Sequence, residues 1–434
     1  MKTFSVESDA DFDGVVEALF ASDRNSDQDR ILLEKTDQTR MIVNAVREVG
    51  DLAVTDCTKR FDGVELEASE FELSQDEIDT AARGVDPDLV SSLQRAYDNI
   101  LRFHSKNLRE SWEETLDDGT TLGQRVTAIE SAGVYVPGGK AFYPSSVLMN
   151  IAPAHVAGVS EIVMVSPPSY GGTIHPVVLA AAKIAGATRV FRVGGAQAIA
   201  ALAYGTETFP QVLKITGPGN TYVTAAKSLV RSIVDIDTEA GPSEVTVIAD
   251  DSANPRLVAG EMLAQAEHDE EATSILITTS EDLCERVQVA LDDEVQSLSR
   301  REIIQTALHA NGAMIVVRDL AEAAKLSNLI GPEHLAVYTE DPRTVLEDIT
   351  CAGSIMLGES TTVVLGDYVA GPNHILPTGR RARFASPLTA EDFRKVSSVI
   401  SFTPERVKAV GEDVMRMATA EELTAHARAI EMRQ

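Results

Sequence analysis

The chain has 434 residues, of which 44% are hydrophobic and 24% charged, as is ordinary for a globular protein of two or three domains. Its net charge of −29, from 38 basic and 67 acidic residues, repels phosphate backbones and anionic lipid, which argues against nucleic acid and membrane partners. Because it has no run of about 18 apolar residues, no apolar leader and three widely separated cysteines, the sequence predicts a cytoplasmic protein without a membrane span.

The first part of the chain predicts helices. Residues 1–115 carry apolar side chains at helical spacing, as in DRILLEKTDQTRMIVNAVREVG (29–50). Residues 1–30 are predicted to form an N-terminal helical arm.

From residue 126 onward, short β-rich runs alternate with helical patterns such as HPVVLAAAKIAG (175–186) and RLVAGEMLAQAEH (256–268). This alternation predicts parallel α/β sheets with right-handed crossovers. The predicted strands are GVYVP (133–137), EIVMVSP (161–167), RVFRVGG (189–195), VLKITG (212–217), EVTVIAD (244–250), SILITT (274–279), AMIVVRD (313–319) and GSIMLG (353–358). The last 46 residues return to a helical pattern and predict an appendage to the sheet domains.

Gly-Pro pairs mark four predicted strand ends or loops, and a polar residue follows each pair. They are GPGN (217–220), GPSE (241–244), GPEH (331–334) and GPNH (371–374). The pattern favours loops gathered at the carboxyl edge of a sheet, where open α/β folds bind ligands. GPEH places a carboxylate and an imidazole side by side, Glu333 and His334, at the mouth of a buried strand. Such a pair is more often solvated, so a functional interpretation needs partners elsewhere.

Two other patterns could bind cofactors. VGGAQAIAALAYG (193–205) follows a strand and opens a helix, so its N–H groups could meet a pyrophosphate, although no G-x-G-x-x-G is present. Gln265 and His268 share a predicted helix face, and a glycine-containing loop carries Asp367 and His374. With His426 on the terminal helix, these nitrogen and oxygen ligands would suit zinc, although spacing alone does not assemble them.

The remaining histidines are interpreted as structural or surface groups. Cys351 has no neighbouring His or Lys to lower its pKa, so it is interpreted as a packing residue. The histidines in this class are His104, His155, His175 and His309.

A set of motifs occurs in order between about residues 30 and 430. They are VYVPGG (134–139), VGGAQAIAALAYGTE (193–207), GPGNTYV (217–223), AGPSEVTVIAD (240–250), LAQAEHD (263–269), GPEHL (331–335), GDYVAGPNHILPT (366–378) and ELTAH (422–426). Together they resemble the histidinol dehydrogenase family. The resemblance implies an oxidoreductase that uses one zinc ion per subunit and NAD to oxidise L-histidinol through L-histidinal to L-histidine, the last steps of histidine biosynthesis.

The resemblance also implies the architecture. We expect two Rossmann-like parallel-sheet domains of the aldehyde-dehydrogenase-like kind, with helical N-terminal and C-terminal segments. Residues 31–134 with 242–388 would form the main α/β domain, and residues 135–241 an inserted domain that contacts NAD. The tail, residues 389–434, would complete the partner subunit's site in a homodimer.

Site residues follow from the resemblance position by position. The implied metal ligands are Gln265, His268, Asp367 and His426. The implied NAD contacts are Tyr135, Gln197 and Asn220. The implied substrate contacts are Ser243, Gln265, His268, His334, Asp367, His374, Glu421 and His426.

The adjacent Glu333 and His334 suit two successive oxidations. With an ordinary pKa near about 6.5, His334 would remove the hydroxyl proton as hydride leaves the alcohol carbon. Glu333, its pKa raised by a pocket of low dielectric, would deprotonate the water that attacks the aldehyde. The metal would mainly hold the substrate in place.

Three alternatives remain open at this point. The nearest is a paralogue of the same family that oxidises another small polar alcohol, such as a sulfopropanediol, although the Glu421 carboxylate would repel a sulfonate. A non-catalytic metal-binding protein gives no reason for the Glu333-His334 pair. A zinc hydrolase leaves VGGAQ and GPGN (217–220) without a role.

Overall fold

Parallel sheets form the framework of the chain. The computed structural model describes residues 1–20, 26–139, 141–238 and 241–434. The strands are β1 (Lys2–Ser5), β2 (Trp112–Thr115), β3 (Thr121–Ala128), β4 (Ser131–Tyr135), β5 (Glu161–Val165), β6 (Arg189–Phe191), β7 (Lys214–Thr216), β8 (Asp235–Ile236), β9 (Glu244–Ala249), β10 (Thr273–Thr278), β11 (Ala313–Val316), β12 (His334–Tyr338), β13 (Ser354–Leu357) and β14 (Arg394–Ser401).

Helices separate most of these strands along the chain and pack against the two parallel sheets. The α-helices are α1 (Asp9–Leu19), α2 (Ser26–Val49), α3 (Asp51–Asp62), α4 (Gln75–Arg83), α5 (Pro87–His104), α6 (Pro144–Ala157), α7 (Pro176–Ala185), α8 (Gly195–Tyr204), α9 (Thr221–Val230), α10 (Pro255–Ala266), α11 (Glu281–Glu294), α12 (Arg301–Asn311), α13 (Leu320–Ile330), α14 (Pro342–Glu347), α15 (Val363–Tyr368), α16 (Pro404–Ala420) and α17 (Thr424–Glu431). Single 3-10 turns occupy Ala68–Glu70, Ser105–Asn107, Val295–Ser297, Arg381–Arg383 and Ala390–Phe393. Within the described residues, no helix combines the length and the apolar content needed to cross a membrane.

The larger sheet has six strands in the order β1-β11-β10-β9-β12-β13, and every neighbouring pair is parallel. The chain runs outward from β9 through β10 to β11 and then returns to β12 on the other side of β9. The strand order therefore reverses between β9 and β12, which makes this the topological switch point of the sheet. All five residues of β12 are buried, as expected for a parallel strand covered on both faces.

The smaller parallel sheet has the order β6-β5-β4-β7-β8. Helices α2 to α5 pack on its helices α6 to α9. This packing groups residues 26–104 with the smaller sheet, whereas the domain division expected from the sequence joins residues 31–134 to the main domain. The expected boundary at residue 135 also falls inside β4, which begins at Ser131.

The predicted fold class, parallel α/β sheets with helical segments, is confirmed, and each of the eight predicted strands overlaps a strand of the two parallel sheets. The helices predicted at 175–186 and 256–268 correspond to α7 and α10. The sequence patterns of these strands and helices were clear because each element is a continuous, mostly apolar run, and its length is typical of a strand or of a helix.

Two terminal predictions need correction. Residues 2–5, expected within a helical arm, form β1 and pair with β11 at the edge of the larger sheet. Residues 394–401, expected to be helical, form β14, which pairs antiparallel with β3 in a three-stranded sheet with β2. Most side chains of β14 are exposed, so the strand lacks the apolar alternation by which a half-buried strand is recognised.

The Gly-Pro loops do not all lie at a carboxyl edge. GPSE (241–244) and GPEH (331–334) lead into β9 and β12 and therefore lie at the amino edge of the larger sheet. GPGN (217–220) does follow a strand, β7 of the smaller sheet. The prediction was wrong for the first two because a turn signal marks the end of an element without showing its direction.

His104, at the end of α5, is a buried structural histidine, as predicted. Its side chain is 6% exposed and packs edge-on against Phe103, and its Nε2 has no hydrogen-bond partner. Burial lowers the pKa of His104 to about 4, and the charge of Asp392 only partly opposes this shift. The folded protein therefore keeps this imidazole neutral in mildly acidic solution.

We expect His104→Leu to make the protein less sensitive to acid. Above pH about 6.5, His104 is neutral in the folded and the unfolded protein. Below this pH the unfolded chain binds a proton at His104 and the folded chain does not. The free energy of unfolding of the unmutated protein should therefore fall, relative to the variant, by up to about 3 kcal/mol as the pH drops from about 7 to about 4. Urea unfolding at several pH values measures this difference. Parallel pH profiles for the two proteins would contradict it.

Candidate active site

The Glu333-His334 pair lies where β12 begins, with Glu333 just before the strand and His334 as its first residue. Gly331 caps the end of helix α13, and its left-handed φ of 57° turns the chain so that Pro332 leads into the strand. Glu333 and His334 are 7% and 6% exposed, so both ionisable side chains are buried at the amino end of a central strand. Burial of two such groups has a free-energy cost that a solvated loop would avoid.

The main chain of Glu244, the first residue of β9, orients both side chains. Its N–H donates to Oε2 of Glu333 at 2.8 Å, and its carbonyl lies 3.3 Å from Nδ1 of His334. Because a carbonyl can only accept, Nδ1 carries the hydrogen and Nε2 of His334 is left as the proton acceptor. Nδ1 is also 3.7 Å from Oε2 of Glu333, so the two side chains face the same space.

Asp367 and His374 come from α15 and the loop that follows it. Oδ1 of Asp367 lies 3.8 Å from Nε2 of His334. Nδ1 of His374 donates to the main-chain carbonyl of Asp367 at 3.0 Å, and the hydroxyl of Ser146 lies 3.4 Å from its Nε2. The structure thus brings four of the predicted site residues together with Ser146, which sequence patterns did not indicate.

The carboxyl groups of buried Glu333 and half-buried Asp367 resist ionisation. Burial, followed by the negative charges of Glu244 and Asp367, raises the pKa of Glu333 well above its ordinary value, although the Glu244 N–H opposes the shift. Burial and the charge of Glu261 raise the pKa of Asp367 to about 7. The expected rise for Glu333 is confirmed in direction. A bound cation would favour the ionised form of both groups.

The histidines of the site resist protonation. Burial lowers the pKa of His334 to about 3, with further lowering from His268 and His374, while the Glu244 carbonyl opposes the shift. The ordinary pKa expected for His334 was therefore wrong, because its desolvation depends on neighbours distant in sequence. Burial also lowers the pKa of His374 to about 4. At neutral pH both rings are neutral.

Helix α10 carries the next set of residues. Glu261 and Gln265 lie one turn apart on its buried face, and Oε2 of Glu261 accepts from the Val363 N–H at 2.9 Å at the start of α15. This bond ties α10 to the helix that bears Asp367. Glu261 was not predicted, although a Glu four residues before Gln265 within an apolar helix is a signal that could have indicated it.

His268 lies just beyond α10, which ends at Ala266, rather than on the helix as predicted. A turn bond from its N–H to the Gln265 carbonyl, at 3.2 Å, nevertheless keeps the two residues close. His268 is exposed as a residue, yet enough protein surrounds its imidazole for desolvation to lower the pKa. Its influence on the pKa values of His334 and His374 places it in the same cluster.

The donor set of this cluster fits a zinc ion in part. Gln265 is 2% exposed, and its amide nitrogen has no hydrogen-bond partner, so one end of a buried amide is free to turn an oxygen toward a ligand. With His268 and Asp367, it offers the nitrogen and oxygen ligands that zinc accepts. Over the ranges that the structure describes, no three His, Cys, Asp or Glu side chains form a metal-binding group by themselves.

The last two predicted residues lie elsewhere in this chain. Glu421 caps α16 and His426 lies on α17, and both are exposed. These two helices pack on each other as a hairpin. The structure of a single chain therefore does not bring His426 into the cluster of Gln265, His268 and Asp367.

The three expected NAD contacts lie at the carboxyl edge of the smaller sheet. The hydroxyl of Tyr135, at the end of β4, accepts from the Gly195 N–H at 3.2 Å, where α8 begins. Gln197 is 1% exposed, and its amide nitrogen has no partner. Asn220 caps α9 by accepting from the N–H groups of Tyr222 and Val223 at 3.0 and 3.1 Å. A buried free amide beside two helix N-termini fits a polar or anionic ligand.

Similarity to known proteins covers nearly the whole chain. A family model described as histidinol dehydrogenase matches residues 24–434. Histidinol dehydrogenase of Neisseria gonorrhoeae is 47% identical over 436 residues and covers 100% of both chains. That of Syntrophotalea carbinolica is 49% identical over 392 residues, which are 90% of this chain and 91% of the relative. The crystal structure of histidinol dehydrogenase from Elizabethkingia anophelis superposes with a TM-score of 0.90 at 34% identity and covers 100% of this chain and 98% of that one.

Proposed function

The chain belongs to the histidinol dehydrogenase family of oxidoreductases, and from this premise we propose that it oxidises L-histidinol through L-histidinal to L-histidine. The observation that carries the proposal is the pair of buried bases Glu333 and His334, both oriented by the main chain of Glu244. This four-electron oxidation removes a proton from the alcohol hydroxyl and another from the attacking water, and the pair offers a base for each.

In the first oxidation, we propose that Nε2 of His334 removes the hydroxyl proton while hydride leaves the adjacent carbon. NAD would be the hydride acceptor in each oxidation. The low pKa of His334 keeps the ring in its basic form at neutral pH, and the carboxyl of Asp367 at 3.8 Å would stabilise the protonated ring. The products of this step are the aldehyde, NADH and one proton.

In the second oxidation, water must add to the aldehyde before another hydride can leave. We propose that Glu333 takes the proton of this water. Its raised pKa makes the ionised carboxylate a stronger base than an ordinary glutamate, provided that the pH is high enough to ionise it. Hydride transfer to a second NAD then gives NADH and the carboxylate, and the step releases two protons, one from the water through Glu333 and one from the acid.

For substrate and metal, we propose that Ser243 and His374 contact histidinol together with Gln265, His268 and Asp367. The unpartnered Gln265 amide and the nearby Asp367 carboxyl support this assignment. Zinc bound by these ligands would supply a positive charge that holds the imidazole and amine of the substrate in place.

For the cofactor, we propose that Tyr135, Gln197 and Asn220 contact NAD. The support is their common position at the carboxyl edge of the smaller sheet and the free amide of buried Gln197. Carboxyl edges of parallel sheets are the usual place for such ligands.

For the assembly, we propose a homodimer in which each tail, residues 389–434, completes the other subunit's pocket through its terminal α16–α17 hairpin. The α16–α17 hairpin exposes Glu421 and His426 and also the apolar side chains of Met417 and Leu423. An isologous exchange would bury this apolar surface and would supply the fourth metal ligand that a single chain lacks.

Product stoichiometry tests the function. The purified protein, supplied with limiting L-histidinol and excess NAD, should form two NADH per substrate, with L-histidine as the product. A sulfopropanediol serves as the comparison substrate and should be oxidised much more slowly. One NADH per histidinol with release of the aldehyde, or preference for the sulfonate, would overturn the proposal.

Metal content tests the proposed ligand set. We expect Asp367→Ala to bind zinc at least about 100-fold more weakly, because even residues behind metal ligands typically change affinity by about 10- to 100-fold. Asp341→Ala, which alters an acidic helix cap outside the pocket, is the matched control and should keep its zinc. Elemental analysis after dialysis measures both variants. Equal zinc in both would rule out Asp367 as a ligand.

A further inference from the structure

A buried ion pair lies beneath the proposed cofactor loop, residues 217–220. Nζ of Lys227, on α9, contacts Oδ1 of Asp237, just after β8, and both side chains are only 3% exposed. Removing two charges from water has a cost that their attraction often fails to offset, so such a pair is weak evidence for stability. Its other hydrogen bonds indicate a different role.

Both partners bind the main chain of Gly217, the first residue of the cofactor loop. Lys227 donates to the Gly217 carbonyl at 3.0 Å, and the Gly217 N–H donates to Oδ2 of Asp237 at 2.7 Å. Gly217 has a φ of 115°, and a Cβ there would lie 2.1 Å from the Tyr135 carbonyl oxygen. The loop therefore begins in a conformation that requires glycine, and two side chains hold it there.

The same lysine also holds the segment that connects the two sheets. Its third donated hydrogen bond goes to the carbonyl of Thr238, at 3.2 Å. From this point the chain passes from β8 of the smaller sheet to β9 of the larger one. This connection begins at Thr238 and ends at Ser243, directly before Glu244, whose main chain contacts Glu333 and His334. At the far end of this connection, the Gly241 N–H donates to the hydroxyl of Thr378.

All three ammonium hydrogens of Lys227 and both oxygens of Asp237 are thus used, and each bond goes to the cofactor loop, to the connection, or between the two partners. We propose that Lys227 and Asp237 are a positioning pair, which fixes the loop bearing Asn220 to the connection bearing Ser243. The pair would keep NAD and histidinol at the relative position that hydride transfer requires. This inference rests on the proposed function, in which Asn220 contacts NAD and Ser243 contacts histidinol.

The chain offers a matched control pair on the same sheet. Lys214 and Asp235 face each other across β7 and β8 and form an ion pair at 2.5 Å. The Lys214 side chain is 5% exposed, but that of Asp235 is 64% exposed. This pair joins two strands and contacts neither the cofactor loop nor the connection. Identical substitutions in the two pairs therefore separate the loss of an ion pair from the loss of positioning.

We compare Lys227→Met/Asp237→Asn with Lys214→Met/Asp235→Asn, since each removes both charges and leaves none unpaired. Isothermal titration of the metal-loaded protein with NAD should show an approximately tenfold or larger rise in the dissociation constant for the first variant, a change of about 1.4 kcal/mol. The control should change by less than about twofold. Histidinol binding without NAD should remain within about twofold in both, since its pocket is built on the larger sheet. In steady-state assays the first variant should therefore show a raised KM for NAD.

A purely structural role predicts a lower unfolding temperature with an unchanged dissociation constant for NAD, and that result would overturn the inference. If the unmutated protein bound no NAD at all, the proposed cofactor use would fail instead, so the two failures are distinguishable. Hydrogen exchange of the unmutated protein gives a second test that needs no variant. NAD should slow exchange in the peptide from Asp235 into β9 as well as in the cofactor loop. Protection confined to the loop would also overturn the proposal.

Discussion

Glu333→Gln should stop the oxidation of histidinol at the aldehyde. The glutamine oxygen can still accept from the Glu244 N–H, so the side chain should keep its place and lose only its basicity. Loss of a general base typically slows its step by about 10²- to 10⁴-fold, and we expect this loss in the oxidation of aldehyde to acid. The first oxidation, which uses His334, should proceed at a rate near that of the unmutated protein.

Two measurements check this division of roles. With histidinol as substrate, Glu333→Gln should yield one NADH per substrate, and with the aldehyde as substrate it should be nearly inactive. His334→Ala is the counterpart, and it should chiefly slow the alcohol step. If both variants slowed the two oxidations equally, His334 and Glu333 would not act in separate steps.

The pH dependence of the second step follows from the same carboxyl group. Glu333 must be ionised to accept a proton, and its pKa lies well above the ordinary value. Aldehyde oxidation should therefore rise with pH over a range in which an ordinary glutamate is already fully ionised, and it should be lost as the pH falls through the raised pKa. This rise should be absent in Glu333→Gln.

Mixing two inactive variants should restore activity if the tails are exchanged. His426→Ala removes the proposed ligand on the tail, and His334→Ala removes the proposed base in the pocket. In a mixed dimer with exchanged tails, one pocket carries both lesions and the other carries neither. Random exchange of subunits would make roughly a quarter of all pockets intact, starting from preparations with almost no activity.

The recovery is measured after the subunits are allowed to exchange, and native mass spectrometry confirms that mixed dimers have formed. A mixture of His334→Ala with Asp367→Ala is the control, because both lesions should block the alcohol step. Both of its lesions lie in the body of the subunit, so every pocket of a mixed dimer keeps one lesion. Mixed dimers of the first kind without recovery would show that each tail serves its own subunit.

The sequence predicted those parts of the fold whose residues are buried along a continuous run. The strands of both parallel sheets are such runs, and β12 was indicated even with two ionisable residues at its mouth. By contrast, β14 has mostly exposed side chains, and its partner β3 is far away in sequence. Its ladder of hydrogen bonds depends on that partner, which no local pattern shows.

The site was predictable as a set of residue types, but its electrostatics were not. Glu333, His334, Asp367 and His374 were all indicated, and the structure places them together. The low pKa of His334 arises from burial by separate elements and from other histidines, so it depends on distances that only the fold determines. The contact between Glu261 and α15 was missed for a similar reason, because its partner is a main-chain N–H.

The main-chain anchoring of the two bases has a consequence for how this protein can change over generations. The N–H and carbonyl of residue 244 belong to the peptide backbone, and every amino acid except proline provides both. Codon changes at this position can therefore alter the side chain, including its bond to the Gly379 N–H, while the orientation of Glu333 and His334 is inherited unchanged. Substitutions at residue 244 should therefore leave the orientation of Glu333 and His334 unchanged. Proline is the exception, because it has no N–H to donate to Glu333.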